Sequence, residues 1–285
     1  MQNVVEFEKP RTGINWKNLT IVAFFHLLAI PVLITFSWQN LAALLIGNWI
    51  VGSLGVGLGW HRLLTHRSFK APKWLEYILT TLGTMSMQDP PDKWVATHRI
   101  HHAFVDTDKD PHSARPGFWW PQIGWVLFGR AQDHDAATMN KYVPDLLKDR
   151  GQVLISRYYW LPIIISAGIL FAVGGWTMVV WGVFGRVVVG WHTTWFVNSL
   201  AHIYGKRPHD TGDLSTNNWF VAILTFGEGW HNNHHAFPTS ARHGLKWYQF
   251  DMNWITIRLF ERFGWAKNIK LADVDRTAVE LKRAA

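Results

Sequence analysis

Four stretches of this chain are long and apolar enough to cross a bilayer, which takes ~20 helical residues: about 19–36, 40–60, 158–174 and 176–200. They predict an all-α integral membrane protein with four transmembrane helices in two hairpins. The turns, around Ser37-Trp38-Gln39-Asn40 and Gly174-Gly175-Trp176-Thr177, are short and carry no Lys or Arg. By the positive-inside rule they face away from the cytoplasm, whereas the N-terminus, the middle stretch 61–157 and the tail 202–285 face it. Those two long segments are expected to form a cytoplasmic helical cap. Within it, Trp74, Leu75, Ile78, Leu79 and Leu82 recur at helical spacing, so Lys73 to Gln88 reads as an interfacial helix ended by Pro90-Pro91.

Composition agrees with a single membrane unit, one domain over 1–285. Hydrophobic residues make up 48% and charged residues 17%, with 19 Trp and 17 Phe, a low-charge, aromatic-rich balance unlike that of a soluble domain. The net charge of +8 is spread among acids and aromatics between the apolar stretches, which fits membrane topology better than a nucleic-acid surface. No removable signal peptide is recognisable, so the first apolar stretch is expected to stay as an anchor. The absence of cysteine excludes disulfides, thiolate zinc sites and cysteine-held iron–sulfur clusters.

Eight of the 15 histidines fall into three groups: His61 and His66; His98, His101 and His102; and His231, His234 and His235. Neutral imidazole is the commonest metal ligand. In the second and third groups the i to i+3 and i+4 spacings set an adjacent pair ~100° apart one turn beyond the first histidine, so one helix can serve two metals. His61 and His66, five apart, would stand ~140° apart on an ideal α-helix and need a helix end to converge. Eight imidazoles exceed what one metal uses, and two metals are the natural count. Imidazole suits iron, copper, zinc and nickel alike; a site that meets acyl chains and dissolved oxygen points to iron. Spacing also nominates Glu228, one turn before His231, and Asp106, one turn after His102, as carboxylates that orient the imidazoles. Gly55-Val-Gly57-Leu-Gly59 lies inside a membrane span, so it reads as close helix packing rather than a nucleotide loop. Arg186 within the fourth span is equally compatible with a structural and a functional role.

Between about Asn48 and Trp265 the chain resembles the membrane fatty-acyl desaturases of the delta-9 family, which includes stearoyl-CoA desaturases and acyl-lipid desaturases of cyanobacteria and plants. The resemblance rests on the three histidine boxes and their flanks: Gly-Trp-His-Arg-Leu-Leu-Thr-His-Arg-Ser-Phe from Gly59, Asp-Lys-Asp-Pro-His-Ser from Asp108, and Gly-Glu-Gly-Trp-His-Asn-Asn-His-His from Gly227. It implies a ninth ligand, His202, and Asn198 bound through water. It also implies a kinked acyl tunnel lined by Gln88, Trp94 and Thr194, closed near Trp49 and Ser53. His26, His112, His134, His192, His209 and His243 match no ligand position of the family.

The expected activity is O2-dependent insertion of a cis double bond into a saturated acyl chain, carried by acyl-lipid or acyl-CoA. The expected cofactor is two Fe ions, which Zn can replace in a recombinant sample. No flavin loop, iron–sulfur ligand set or haem segment is recognisable, so the two electrons are expected from a separate acidic carrier, ferredoxin or alternatively cytochrome b5. The short tails and the Asn232-Asn233 pair resemble bacterial and plant members, pointing to ferredoxin and to a bacterial plasma or thylakoid membrane rather than the ER. The competing readings are a histidine-box hydroxylase of alkyl or acyl chains and, from another class, a membrane metal-binding or transport protein.

Overall fold

The computed structural model describes residues 13–273. Among the described residues the regular structure is helical, with isolated antiparallel bridges such as that between Lys70 and Lys267. Three helices are long and apolar enough to cross a membrane: Trp16–Leu33, Trp38–Thr65 and Leu161–Ile203. Helices are the form such segments must take, because lipid offers no partner to an unsatisfied N–H or C=O. Outward-facing side chains such as Leu27, Leu33 and Ile34, between 64% and 86% exposed, form an apolar surface of the kind lipid covers.

Local chemistry sets the ends of the first two helices. Asn15 accepts from the Asn18 N–H (3.2 Å) and Ser37 from the Asn40 N–H (3.1 Å), each capping a helix start. Between them, Asn40 donates to the Thr35 carbonyl (2.9 Å) and closes the turn. The third helix, 43 residues long, is interrupted at Gly175, whose φ of 69° and ψ of −165° suit glycine. A Cβ on Gly182 would lie 2.7 Å from Leu170 Cδ1, whereas a straight helix would hold those residues ~18 Å apart. The sequence-based segments 158–174 and 176–200 therefore lie in one apolar run that turns back at Gly175.

The second long helix departs from α geometry. From Trp49 to Thr65 it is wound as a π-helix, with His66 donating to the His61 carbonyl five residues back (3.1 Å). Its glycines are where neighbours press closest: a Cβ on Gly55 would sit 2.4 Å from the Gly83 nitrogen, and one on Gly59 2.9 Å from the Leu79 carbonyl carbon. The Lys73–Thr84 helix is thereby pinned along it, burying Leu75 and Leu79 and leaving Trp74 and Ile78 half-exposed. Expected as far as Gln88, this helix ends at Thr84 and is followed by an irregular strap to Asp89. Pro91–Phe104 begins with proline in its first turn, where the missing N–H costs nothing, and carries the second histidine group. His231–Ala236 carries the third.

Gly55→Val forces a backbone shift and should cost roughly 1–3 kcal/mol, seen as a lower melting temperature in detergent. Gly168→Ala, with nothing within 4 Å of the new methyl, should melt like the parent. Equal melting of all three proteins would refute the packing argument.

Candidate metal centre

The long helices deliver His61 and His66 at the end of Trp38–Thr65 and His202 at the end of Leu161–Ile203. There they meet the histidines of Pro91–Phe104 and His231–Ala236. Two clusters result, each with nitrogens within 4.8 Å of one another: His61, His66, His98, His102 and His234 in the first, and His101, His202, His231 and His235 in the second. The partition follows helical phase. His98 and His102, one turn apart, face the first cluster while His101 faces the second; His231 and His235 face the second while His234 faces the first. His61 and His66 both enter the first cluster, their rings 4.8 Å apart. His66 stands at the end of the helix, as expected, and i→i+5 winding helps bring residues five apart to one side.

Carboxylates fix the rings. His61 Nδ1 donates to Glu228 Oε2 (2.5 Å), His101 to Asp110 (2.9 Å), His202 to Asp106 (3.1 Å) and His235 to Asp213 (2.9 Å). An ionised carboxylate only accepts, so each of these Nδ1 atoms carries a proton and each Nε2 is turned into the cluster. Those Nε2 atoms converge: His61 on His234 (3.2 Å), His234 on His102 (3.0 Å), His102 on His98 (3.2 Å), His202 on His231 (3.1 Å) and His231 on His235 (2.9 Å). His66 Nε2 is buried with no hydrogen-bond partner. Lone pairs facing one another at ~3 Å repel unless a cation sits among them, so the residues present fit one metal ion per cluster.

Several imidazoles are pushed toward the neutral form, whereas His101, although burial opposes it, is raised by Asp110. Burial, then the neighbouring imidazoles, push His98, His102, His231, His234 and His235 well below the ordinary histidine range. Burial alone would raise Glu228, but Arg62 followed by His243 and His61 holds it well below the usual carboxylate range. Asp106, likewise opposed by burial, comes down to about 2 through His202 and the Leu214 and Ala114 N–H groups. Arg62 is fully buried and spends all five donors, two on Glu228, two on Asp251 and one on the Ala241 carbonyl. Asn253 also donates to Glu228 (2.6 Å) and accepts from Ser53 (2.6 Å).

An apolar cleft opens against the first cluster, reaching His61, Glu228 and Asn198. Gln88, Trp94 and Thr194 line it: Gln88 donates to Thr194 Oγ1 (3.1 Å) and accepts from Trp94 Nε1 (3.2 Å), and Trp94 stacks on His98 with centroids 5.1 Å apart. Asn198 lies on the cleft wall. Trp49 and Ser53 do not line the cleft. Trp49 is 38% exposed and Ser53 turns its hydroxyl to Asn253, while Asn48, Val51 and Gly52 face the cavity. Counting turns on an α-helix misplaces that face because the winding changes at Trp49.

The fatty acid desaturase family matches residues 12–266. The chain belongs to this family. The sn-1 stearoyl-lipid 9-desaturase of Anabaena variabilis is 48% identical over 267 residues, 93% of this chain and 96% of that protein. The sn-1 stearoyl-lipid 9-desaturase of Synechocystis sp. is 44% identical over 268 residues (92% and 82%), and an acyl-CoA 5-desaturase of Anemone leveillei 44% over 254 (89% and 79%).

Two carboxylates and two histidines of the centre were not singled out by spacing. Asp110 follows His101 by nine residues and Asp213 precedes His235 by 22, separations with no helical signature. Asp110 also lies 3.6 Å from the His112 ring, and Glu228 3.1 Å from the His243 ring. The Asp108–Ser113 flank is the one sequence signal that pointed toward Asp110 and His112.

Asp213→Ala removes the acceptor that orients His235 and should weaken metal retention at the second cluster by roughly 10–100-fold. Competition with a chromogenic chelator checks this, the first cluster serving as internal control. Unchanged retention would show that Asp213 does not orient a ligand.

Proposed function

We propose that this protein is an acyl-lipid delta-9 desaturase, inserting a cis double bond into a saturated long-chain acyl group. The observation that carries the reading is the apolar cleft ending against His61 and Asn198, beside two histidine clusters of metal-binding geometry. Relatives similar over nine-tenths of the chain and named stearoyl-lipid 9-desaturases support it. The nine histidines would hold two iron ions, with Asn198 reaching one through water. Bound iron would supply the oxidising power to remove two hydrogens from adjacent methylenes, O2 being reduced to two waters with two protons and two electrons.

The chain's own residues position and exclude. Gln88, Trp94 and Thr194 bend the acyl chain, and the apolar walls keep bulk water from the reacting carbons. Asp106, Asp110, Asp213 and Glu228 hold the imidazoles as oriented neutral donors. The turn at Gly175 divides Leu161–Ile203 into two crossings, giving four membrane helices in two hairpins. Trp181 near that turn donates to Thr35 in the first turn (3.1 Å), which supports both turns lying on one side and the histidines on the other, cytoplasmic, side. Exposed Lys206, Arg207 and Lys246 offer an acidic ferredoxin a landing surface.

In a host lacking its own aerobic desaturase, expression should yield a new delta-9 monoene on glycerolipids by gas chromatography and mass spectrometry, absent with His101→Ala. A hydroxy acid instead would transfer the protein to hydroxylation. With purified components, turnover supported by ferredoxin should fall steeply as salt rises from low to physiological strength; salt-independent turnover would refute electrostatic docking.

A further inference from the structure

The strap between the Lys73–Thr84 helix and Pro91–Phe104 is an irregular piece of backbone at the centre of the molecule. Met87 and Asp89 hold positive φ angles of 55° and 63°, which non-glycine residues adopt only when their surroundings impose them. The carbonyls following the helix end lack helical partners and must be satisfied elsewhere. One helix, Arg186–Asn198, does this. Arg186 Nη2 donates to the Met85 carbonyl (2.9 Å), and Trp191 Nε1 to the carbonyls of Ser86 (2.9 Å) and Met87 (3.3 Å). Thr194 on the same helix then receives Gln88 (3.1 Å).

Arg186 has no carboxylate partner among the described residues. Its other bond runs to Gly182 O in its own helix (3.0 Å), and it is 3% exposed. A buried guanidinium within an apolar helix is costly and marks a site where its donors are needed. The strap is that need, because it separates two cavities. Ser86, Gln88 and Arg186 face the inner cleft that reaches His61, while Met87, Gln88, Asp89 and Trp191 face an outer cavity. Gln88 lines both, so its side chain stands at the boundary between them.

Resting on the desaturase reading above, we infer that Arg186 and Trp191 are specificity-determining positioning residues. By fixing the strap they fix the corner at Gln88, and hence which pair of methylenes stops beside the histidine clusters. The position of the double bond is then set partly by two donors that touch backbone carbonyls rather than the reacting carbons.

The test compares parent, Arg186→Gln and Trp191→Phe in the same desaturase-free host, locating double bonds by mass spectrometry of dimethyl disulfide adducts. Phenylalanine keeps an aromatic ring against Trp195 (now 5.9 Å between centroids) while removing the donor and part of the indole's bulk. Loss of one buried hydrogen bond loosens the strap enough to raise the share of monoenes at neighbouring positions roughly fivefold. An unchanged positional distribution in accumulated variants, whatever the yield, overturns the inference. So does loss of all product in Trp191→Phe, which would make that residue scaffold alone; if Arg186→Gln fails to accumulate, Trp191→Phe decides. Absence of a monoene from the parent would instead remove the desaturase reading itself.

Discussion

Everything in this molecule depends on making nine imidazole lone pairs point inward at two places. Left to itself, a histidine in a crowded site rotates or protonates to avoid its neighbours. Here the Nδ1 atoms of His61, His101, His202 and His235 are tied to carboxylates, and burial keeps the charged form unfavourable for most of the rest. The Nε2 atoms thus converge at two places, where a cation in each cluster would be coordinated by them.

The carboxylates need holding in turn, and this is where distant parts of the chain are locked together. Arg62 follows His61 directly, so on reaching Glu228 and Asp251 it connects the first histidine group to the third group's flank and to the start of Met252–Arg262. With all five donors used and both carboxylates further hydrogen-bonded, the ion cluster meets the condition under which buried charge is tolerated. Removing one partner of such a cluster costs roughly 3–5 kcal/mol, because the others stay buried.

Close backbone approach is the second device. Gly55 against Gly83 and Gly59 against Leu79 press the strap-bearing helix onto the π-wound one, and that helix places His61, His66 and the inner cleft wall. Gly229 serves the third group in the same way, since a Cβ there would lie 2.1 Å from the Ala222 nitrogen. The glycine-rich flanks of the histidine boxes are packing requirements of the centre they surround.

Much of this was legible in the sequence, because apolar runs, the i, i+3, i+4 histidine spacing and the absence of cysteine are local properties that need no fold to interpret. They determined a helical, membrane-type chain, an all-imidazole donor set and the division of each five-residue box between two sites. Spacing picked out Glu228 and Asp106 as lying one turn from His231 and His102, but the structure pairs them with His61 and His202, partners that local spacing does not reveal. Tertiary structure alone decided that Asp110 and Asp213 complete the set, that His112 and His243 share its carboxylates, and that Asn48 and Gly52 rather than Trp49 and Ser53 face the cleft. Those outcomes turn on contacts between distant segments and on a change of helical winding. The π-wound stretch packs against Lys73–Thr84 and Met252–Arg262, and a periodicity of 3.6 carries no trace of its winding.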